Sequence, residues 1–258
     1  MTETLREFLK FPLWNTDGIF NKFRWLEETE RRTVVFLENK DNRKERFLYI
    51  EGNRPDKVVL VAHADTVWDK CYNDCELEQV IVREGDYFRG TNKECGIGAD
   101  DRAGCAMLWL LRDSGHSILI VDGEDKACFG GRPGLLGSRW LMAENGSDEV
   151  KNIAKRINKH QFMIQLDKRN ATDFKCYSIG TPDFENYIQE QTGYFNIEGT
   201  QRIDIVELCK EICGVNFSIG YHNEHTPDEQ ININEWLHTI KVVKALITEN
   251  NIPRFLLG

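Results

Sequence analysis

Side chains able to hold a divalent cation stand where the apolar runs of this chain end. VVLVA runs into His63 and Asp65, SILIVDG into Glu124 and Asp125, and QFMIQL into Asp167. VNFSIGYHNEH delivers His222 and His225, and Asp100 opens the segment ADDRAGCAMLWLL. Imidazole and carboxylate are the ligand types favoured by zinc, cobalt and manganese, and a catalytic site needs them to converge while leaving a position for water. A lone histidine or aspartate is more often a satisfied structural residue or a helix cap. Five such residues, His63, Asp100, Asp125, Asp167 and His225, at successive strand ends point to one shared centre.

Two divalent ions there would face three negative charges, from Asp100, Asp125 and Asp167. The residual positive charge lowers the pKa of a bound water to about 7, which gives a nucleophile at neutral pH. Glu124 follows a strand and precedes Asp125, so the two side chains point to different sides, one toward a metal and one toward the attacking water. Asp65 lies two residues beyond His63, where a carboxylate can accept the other imidazole N–H and fix its tautomer. Asp101 is expected to cap the following helix. His222 is close enough in sequence to His225 to touch substrate, or is a sheet-end residue. His116, His160 and His238 lie outside every motif and read as structural.

The elements that must position these residues alternate. TVVFLENK, ERFLYIEG, VVLVAHAD, SILIVDGED and QFMIQLD have strand composition. ADDRAGCAMLWLLRD, SRWLMAEN, DEVKNIAKRINK, DFENYIQEQ, IDIVELCKEI and NINEWLHTIKVVKALITEN carry apolar residues at three- and four-residue intervals, as helices do. Runs such as VVLVA and ILIV are apolar on both faces, as a fully covered strand requires. The expected fold is therefore an α/β, three-layer α/β/α sandwich with a mixed, mostly parallel central sheet, formed as one domain over residues 1–258. In such sheets ligands collect beyond the carboxyl ends of the strands.

With 33 Lys and Arg against 42 Asp and Glu, the net charge is −9, and the pI is near 5.3. Nucleic-acid binding needs clustered cations to release counterions, so no nucleic-acid partner is expected. No apolar run is long enough to span a bilayer, and the start lacks the basic-then-apolar pattern of an export signal, so a cytoplasmic protein with no membrane partner is expected. The eight cysteines are then reduced and pack as small apolar groups. Cys209 and Cys213 fall one helical turn apart in DIVELCKEIC, and Cys71 and Cys75 are not near a second such pair as a structural zinc site requires.

Taken in order, HADTV at His63, GIGADDRAG around Asp100, DGED with the later GLLGSRWL, QLDKR at Asp167 and HTPDE at His225 form a set that resembles the zinc exopeptidase superfamily. The branch it looks most like holds aminopeptidases, glutamate carboxypeptidases and glutaminyl cyclases. The resemblance implies two divalent ions, zinc with cobalt or manganese as alternatives. His63 and Asp167 would hold one, Asp125 and His225 the other, and Asp100 would bridge them. It also implies Glu124 as general base and Asp65 as the group orienting His63.

Asp125 stands where many relatives have glutamate, and its shorter side chain is expected to weaken the second site. The stretch KACFGGRP, 126–133, is an insertion that shapes the pocket or is a surface excursion. The spacing from Asp125 to Asp167 leaves no room for a separate lid domain, so pocket walls come from loops or from another subunit of a homo-oligomer.

The implied activity is aminopeptidase-like hydrolysis of a small peptide or an N-acylated amino acid. Two alternatives stay open. One is a glutaminyl-cyclase-like transferase using one zinc. The other is a non-catalytic binding protein, which would follow if Glu124 itself were the ligand and Gly123 stood in the base position.

Overall fold

A computed structural model describes residues 1–69, 76–125, 134–200 and 202–258. Cys71, Cys75 and the 126–133 stretch lie outside the described residues.

The order of elements is α1 (Thr2–Leu9), α2 (Asp17–Glu30), β1 (Val34–Asn39), β2 (Asn42–Ile50), β3 (Val59–His63), β4 (Ile81–Glu84), β5 (Tyr87–Gly90), α3 (Ala99–Leu111) and β6 (Ser117–Val121). There follow α4 (Leu136–Leu141), α5 (Asp148–Ile157), β7 (Met163–Lys168), β8 (Asp173–Lys175), α6 (Pro182–Thr192), β9 (Phe195–Asn196) and α7 (Asp204–Leu208). The chain ends with β10 (Gly214–Ser218), β11 (Tyr221–His222), β12 (Gln230–Asn232) and α8 (Ile233–Thr248).

Eight strands form one sheet in the order β1-β2-β6-β3-β7-β10-β8-β9. Its centre, β6-β3-β7-β10, is parallel, and β1, β2 and β8 join antiparallel. Alternate residues of the central strands sort into two cores, which is the period-two signature of a strand covered on both faces. Leu60, Ala62, Ile118, Ile120, Ile164 and Leu166 pack with α1, α2, α3, α6 and α8. Val59, Val61, Leu119, Val121 and Met163 pack with α4, α5 and α7. The sandwich expected from the sequence is the fold observed.

Helix starts follow from local chemistry. Ser147 and Thr181 accept the N–H groups of Val150 and Phe184, with Pro182 at the first turn of α6. Asn232 accepts from Asn234 and Glu235 to begin α8. Each satisfies a donor that a helix N-terminus leaves unpaired.

Two features differ from the sequence reading. A second, four-stranded antiparallel sheet, β11-β12-β5-β4, joins the segment after β3 to the segment after β10; its strands are two to four residues long, too short for periodicity to register. The helix read over IDIVELCKEI stops at Leu208, where Cys209 turns extended. Cys209 and Cys213 are therefore not on one helix, although both are buried. The other described cysteines, Cys95, Cys105 and Cys176, are free and buried too.

Candidate metal centre

At the carboxyl edge of the parallel strands, Asp100 lies between two imidazoles. Its Oδ1 is 3.1 Å from His63 Nε2 and its Oδ2 is 3.1 Å from His225 Nε2. Asp167 Oδ1 stands 3.6 Å from His63 Nε2, and Asp125 Oδ1 stands 3.1 Å from His225 Nε2. Ligand atoms of His63, Asp100 and Asp167 all lie within 4.8 Å of one another, as do those of Asp100, Asp125 and His225. Atoms of His63, Glu124 and Asp125 form a third such group. The five residues singled out in the sequence thus meet, with Glu124 beside them.

Their routes to the centre are more varied than a row of strand ends. His63 closes β3, Asp167 lies in the last turn of the pleat of β7, and Asp125 follows β6. Asp100 sits at the start of α3 with non-helical backbone angles and a cis peptide to Asp101. His225, with φ of 62°, comes from the connection between β11 and β12 of the small sheet.

His63 is held along its whole length. Its backbone N–H donates to Asp101 Oδ2 at 3.2 Å, and its carbonyl accepts from Cys105 Sγ at 3.2 Å. Nδ1 faces the carbonyl oxygen of Asp65 at 3.1 Å and Asp65 Oδ1 at 3.4 Å, which leaves Nε2 directed at the carboxylates. Asp101 also accepts the Gly104 N–H at 2.9 Å, as a cap does. A Cβ at Gly104 would come within 2.2 Å of the Leu166 carbonyl oxygen, so glycine lets α3 lie directly on β7.

Asp65 does more than touch His63. Its Oδ1 accepts the backbone N–H groups of Gly123 at 2.8 Å and Glu124 at 3.1 Å, and its Oδ2 accepts that of Asp125 at 3.2 Å. Leu136 and Gly137 N–H groups donate to the carbonyls of Gly123 and Asp122, which ties the GLLGSR turn against the DGED turn. A Cβ at Gly137 would meet the Arg46 carbonyl oxygen at 2.5 Å.

Three supports escaped the sequence reading. Glu229, the last residue of HTPDE, is buried and accepts the Gly98 N–H at 2.7 Å and the Asp100 N–H at 3.0 Å. Its membership of the motif was the available signal. Asp122 is fully buried and bonds Lys44 Nζ at 2.8 Å, Arg46 Nε at 2.7 Å and Thr16 Oγ1 at 2.8 Å, while Lys44 also reaches Asp69 at 2.6 Å. Lys44 and Arg46, two apart on β2, share a face, but nothing in the sequence says that the face is buried. Gln165 and Tyr221 donate to the two oxygens of Asp167 at 2.9 and 3.2 Å.

The other histidines are satisfied elsewhere. His116 links the Val58 N–H to the Ile247 carbonyl, His160 contacts Ser117 and the Arg156 carbonyl, and His238 stacks on Tyr194. His222 pairs with Glu235 at 2.7 Å.

Electrostatics of the cluster follow from crowding carboxylates out of water. Burial, then Asp100 nearby, pushes Asp125 up to about 6 and Asp167 up to about 7. Burial raises Glu124 well above the usual carboxylate range, with Asp125, Asp204 and Asp167 adding to it. Asp100 goes the other way: burial opposes ionisation, but hydrogen bonds from His225 and His63 hold it below its ordinary value. Burial disfavours charge on His225, yet Asp100 and Asp125 push it up to about 12. The carboxylates demand positive charge, and protons on the imidazoles supply it where a cation would have to displace them.

The donor set suits divalent ions. It is made of imidazole nitrogen and carboxylate oxygen only, and Asp125 Oδ2 is buried with no hydrogen-bond partner among the described residues. Asp100, Glu124, Asp125, Asp167 and His225 line a cavity of about 410 Å³, within the roughly 300–1,000 Å³ of small-molecule sites. A site of this kind can activate water and polarise a carbonyl.

No protein-family profile and no curated protein matches the chain. Solved structures do. Aminopeptidase PepT from Bacillus cereus has a TM-score of 0.65 at 13% identity, with 96% of this chain and 97% of that one covered. A tripeptidase from Staphylococcus aureus has a TM-score of 0.66 at 12% identity, with 96% of each chain covered. The TET1 peptidase of Pyrococcus horikoshii has a TM-score of 0.58 at 12% identity, with 96% of this chain and 99% of that one covered. At these identities the likeness is one of fold, and the fold is that of aminopeptidase-type structures.

Proposed function

We propose that the chain is a metal-dependent hydrolase that cleaves an amide bond in a short peptide or an N-acylated amino acid. The observation that carries this reading is the Asp100 carboxylate set between His63 and His225 at 3.1 Å on each side. Asp167 would complete one metal position with His63, and Asp125 the other with His225. Two such positions favour a two-ion hydrolase over a one-zinc transferase. The fold shared with aminopeptidases agrees with it.

When bound, the ions would supply Lewis acidity, polarising the scissile carbonyl and easing deprotonation of water. Glu124 lines the same cavity as the cluster, where its carboxylate would take a proton from the attacking water and return it to the departing amine. Asp65 positions Glu124 through the backbone of the 123–125 turn. Self-association belongs to the proposal as well, since the fold-related TET1 peptidase can assemble into a tetrahedron or an octahedral shell; light scattering in solution tests it.

Replacing Glu124 by glutamine tests the mechanism. Turnover of short peptides should fall on the order of 10²–10⁴-fold, with metal content by elemental analysis unchanged. Full turnover in Glu124→Gln would remove Glu124 from the chemistry.

A further inference from the structure

Residues 10–16, which connect α1 to α2, touch three of the segments that bring the cluster together. The Leu13 carbonyl accepts the Thr66 hydroxyl at 3.3 Å, three residues past His63. The carbonyls of Pro12 and Asn15 accept from Arg102 Nη2 at 3.0 and 3.2 Å, two residues past Asp100. Thr16 Oγ1 accepts from Arg46 Nη2 and donates to Asp122 Oδ2 at 2.8 Å, three residues before Asp125. The other oxygen of Asp122 takes the Gly123 N–H at 2.9 Å. Leu13 also packs on Gly98, where an added Cβ would meet its side chain at 2.7 Å. The connection is itself anchored, since the rings of Phe8 in α1 and Phe23 in α2 lie 6.4 and 5.4 Å from that of Trp109 in α3.

These polar ties are made out of reach of water, because Thr16 and Arg102 are both buried. Arg102 is the sharper case. Its Nε and Nη1 have no hydrogen-bond partner among the described residues, so the acceptors of its guanidinium there are the two carbonyls of the connection. Burying a cation with so few acceptors costs more than burying an apolar side chain of similar volume. What the guanidinium adds is direction: a hydrogen bond fixes distance and angle, whereas apolar packing fixes mainly volume.

We propose that the α1–α2 connection is a positioning device for the candidate metal centre, with Thr16 and Arg102 as the positioning residues. Thr16 sets the 122–125 turn, which carries Glu124 and Asp125. Arg102 sets the start of α3, which carries Asp100. Both are set against the end of β3, which carries His63 and is tied to the same connection through Thr66. A misplacement of about 1 Å at a reacting centre costs on the order of 10²-fold in rate, so ties of this kind act on turnover without touching substrate. The effect on turnover rests on the hydrolase reading. The effect on the turn and on the start of α3 does not, and it shows in protein without metal.

The test is amide hydrogen exchange read by mass spectrometry on the metal-free protein, with steady-state kinetics on the zinc-loaded protein beside it. Thr16→Val keeps the branched shape and loses the hydroxyl, whereas Thr16→Ser keeps the hydroxyl. In Thr16→Val the amides of 123–125 should exchange on the order of tenfold faster, the equivalent of one lost hydrogen bond. Those of β10 and α8 should keep their wild-type rates, and Thr16→Ser should restore protection of the turn. Arg102→Met should act in the same way on the amides of 102–104. In both Thr16→Val and Arg102→Met, kcat for short peptides should fall about tenfold with KM unchanged. Unchanged exchange at 123–125 in Thr16→Val overturns the proposal. So does equal acceleration throughout the protein, which would mean that the connection only adds stability, and so does local acceleration with kcat unchanged. If Arg102→Met does not fold, the two Thr16 variants decide. A wild-type protein that hydrolyses no peptide, with local loss of protection in Thr16→Val, would remove the hydrolase reading and leave the positioning role.

Discussion

Asp65 Oδ1 accepts the backbone N–H of Glu124 at 3.1 Å. The same carboxylate holds Gly123 and Asp125, and it lies 3.4 Å from His63 Nδ1. One buried side chain therefore joins the strand end that carries His63 to the turn that carries the proposed base and a proposed ligand. A carboxylate accepting several N–H groups fixes a turn more firmly than a neutral acceptor does, because each bond is charge-assisted.

Replacing Asp65 by asparagine should expose that function. The amide would turn a donor toward N–H groups that need acceptors, with a stability cost of about 1–3 kcal/mol. We expect kcat to fall by roughly tenfold to a hundredfold, the effect of a small misplacement, with KM nearly unchanged and metal retained. Steady-state kinetics with chemical denaturation checks this; a change in KM alone would assign Asp65 to substrate binding.

The ion network under the same turn makes a separate prediction. Lys44→Met leaves Asp122 and Asp69 buried with less compensation, which should cost about 3–5 kcal/mol. Denaturation of the variant measures it, and a loss below 1 kcal/mol would show that the network is not holding the turn.

Metal removal should destabilise the fold. A ligand at a hundred times its Kd adds about 2.7 kcal/mol, which for a chain of this size is roughly 5–10 °C in Tm. Thermal melts with zinc and with chelator should differ by that order, and the difference should vanish in His63→Ala combined with His225→Ala. Identical melts with zinc and with chelator would argue against a bound ion.

Asp204, at the start of α7, is fully buried, and among the described residues neither of its oxygens has a hydrogen-bond partner of good geometry, although Ser138 approaches it. Burial pushes it up to about 7, with Asp65 and Asp125 adding to the rise against opposing effects of His63 and Ser138. The folded protein therefore keeps a proton that the unfolded chain releases near pH 4. This group's contribution is whole below that pH, declines as pH rises toward 7 and levels off above it. Asp204→Asn removes the slope. In the metal-free protein the variant should match the wild type near pH 4 and exceed it by a few kcal/mol at pH 8. A difference independent of pH would mean that Asp204 ionises normally.

The layered sheet was legible in the sequence because VVLVA, ILIV and the long helices repeat their apolar residues with clear periods. The cluster was legible because His63, Asp125 and Asp167 sit where those runs stop. The small antiparallel sheet was not, since strands such as Tyr221–His222 are too short to carry a period. The reach of α7 was misjudged because Cys209 and Cys213 keep helical spacing while the chain between them serves a turn. Asp122, Lys44 and Arg46 were not singled out in the sequence, since pairing of buried ions depends on contacts between distant segments. The two roles of Asp65 depend on the same kind of contact, between β3 and the turn after β6.

The most direct measurement is anomalous diffraction at the zinc edge from crystals grown with zinc. The account predicts two peaks, one at about 2.0–2.2 Å from His63 and Asp167 and one at the same distance from Asp125 and His225, with Asp100 bonded to both and Glu124 to neither. The absence of density between the two histidines, or an ion held by Glu124 in place of Asp125, would contradict it.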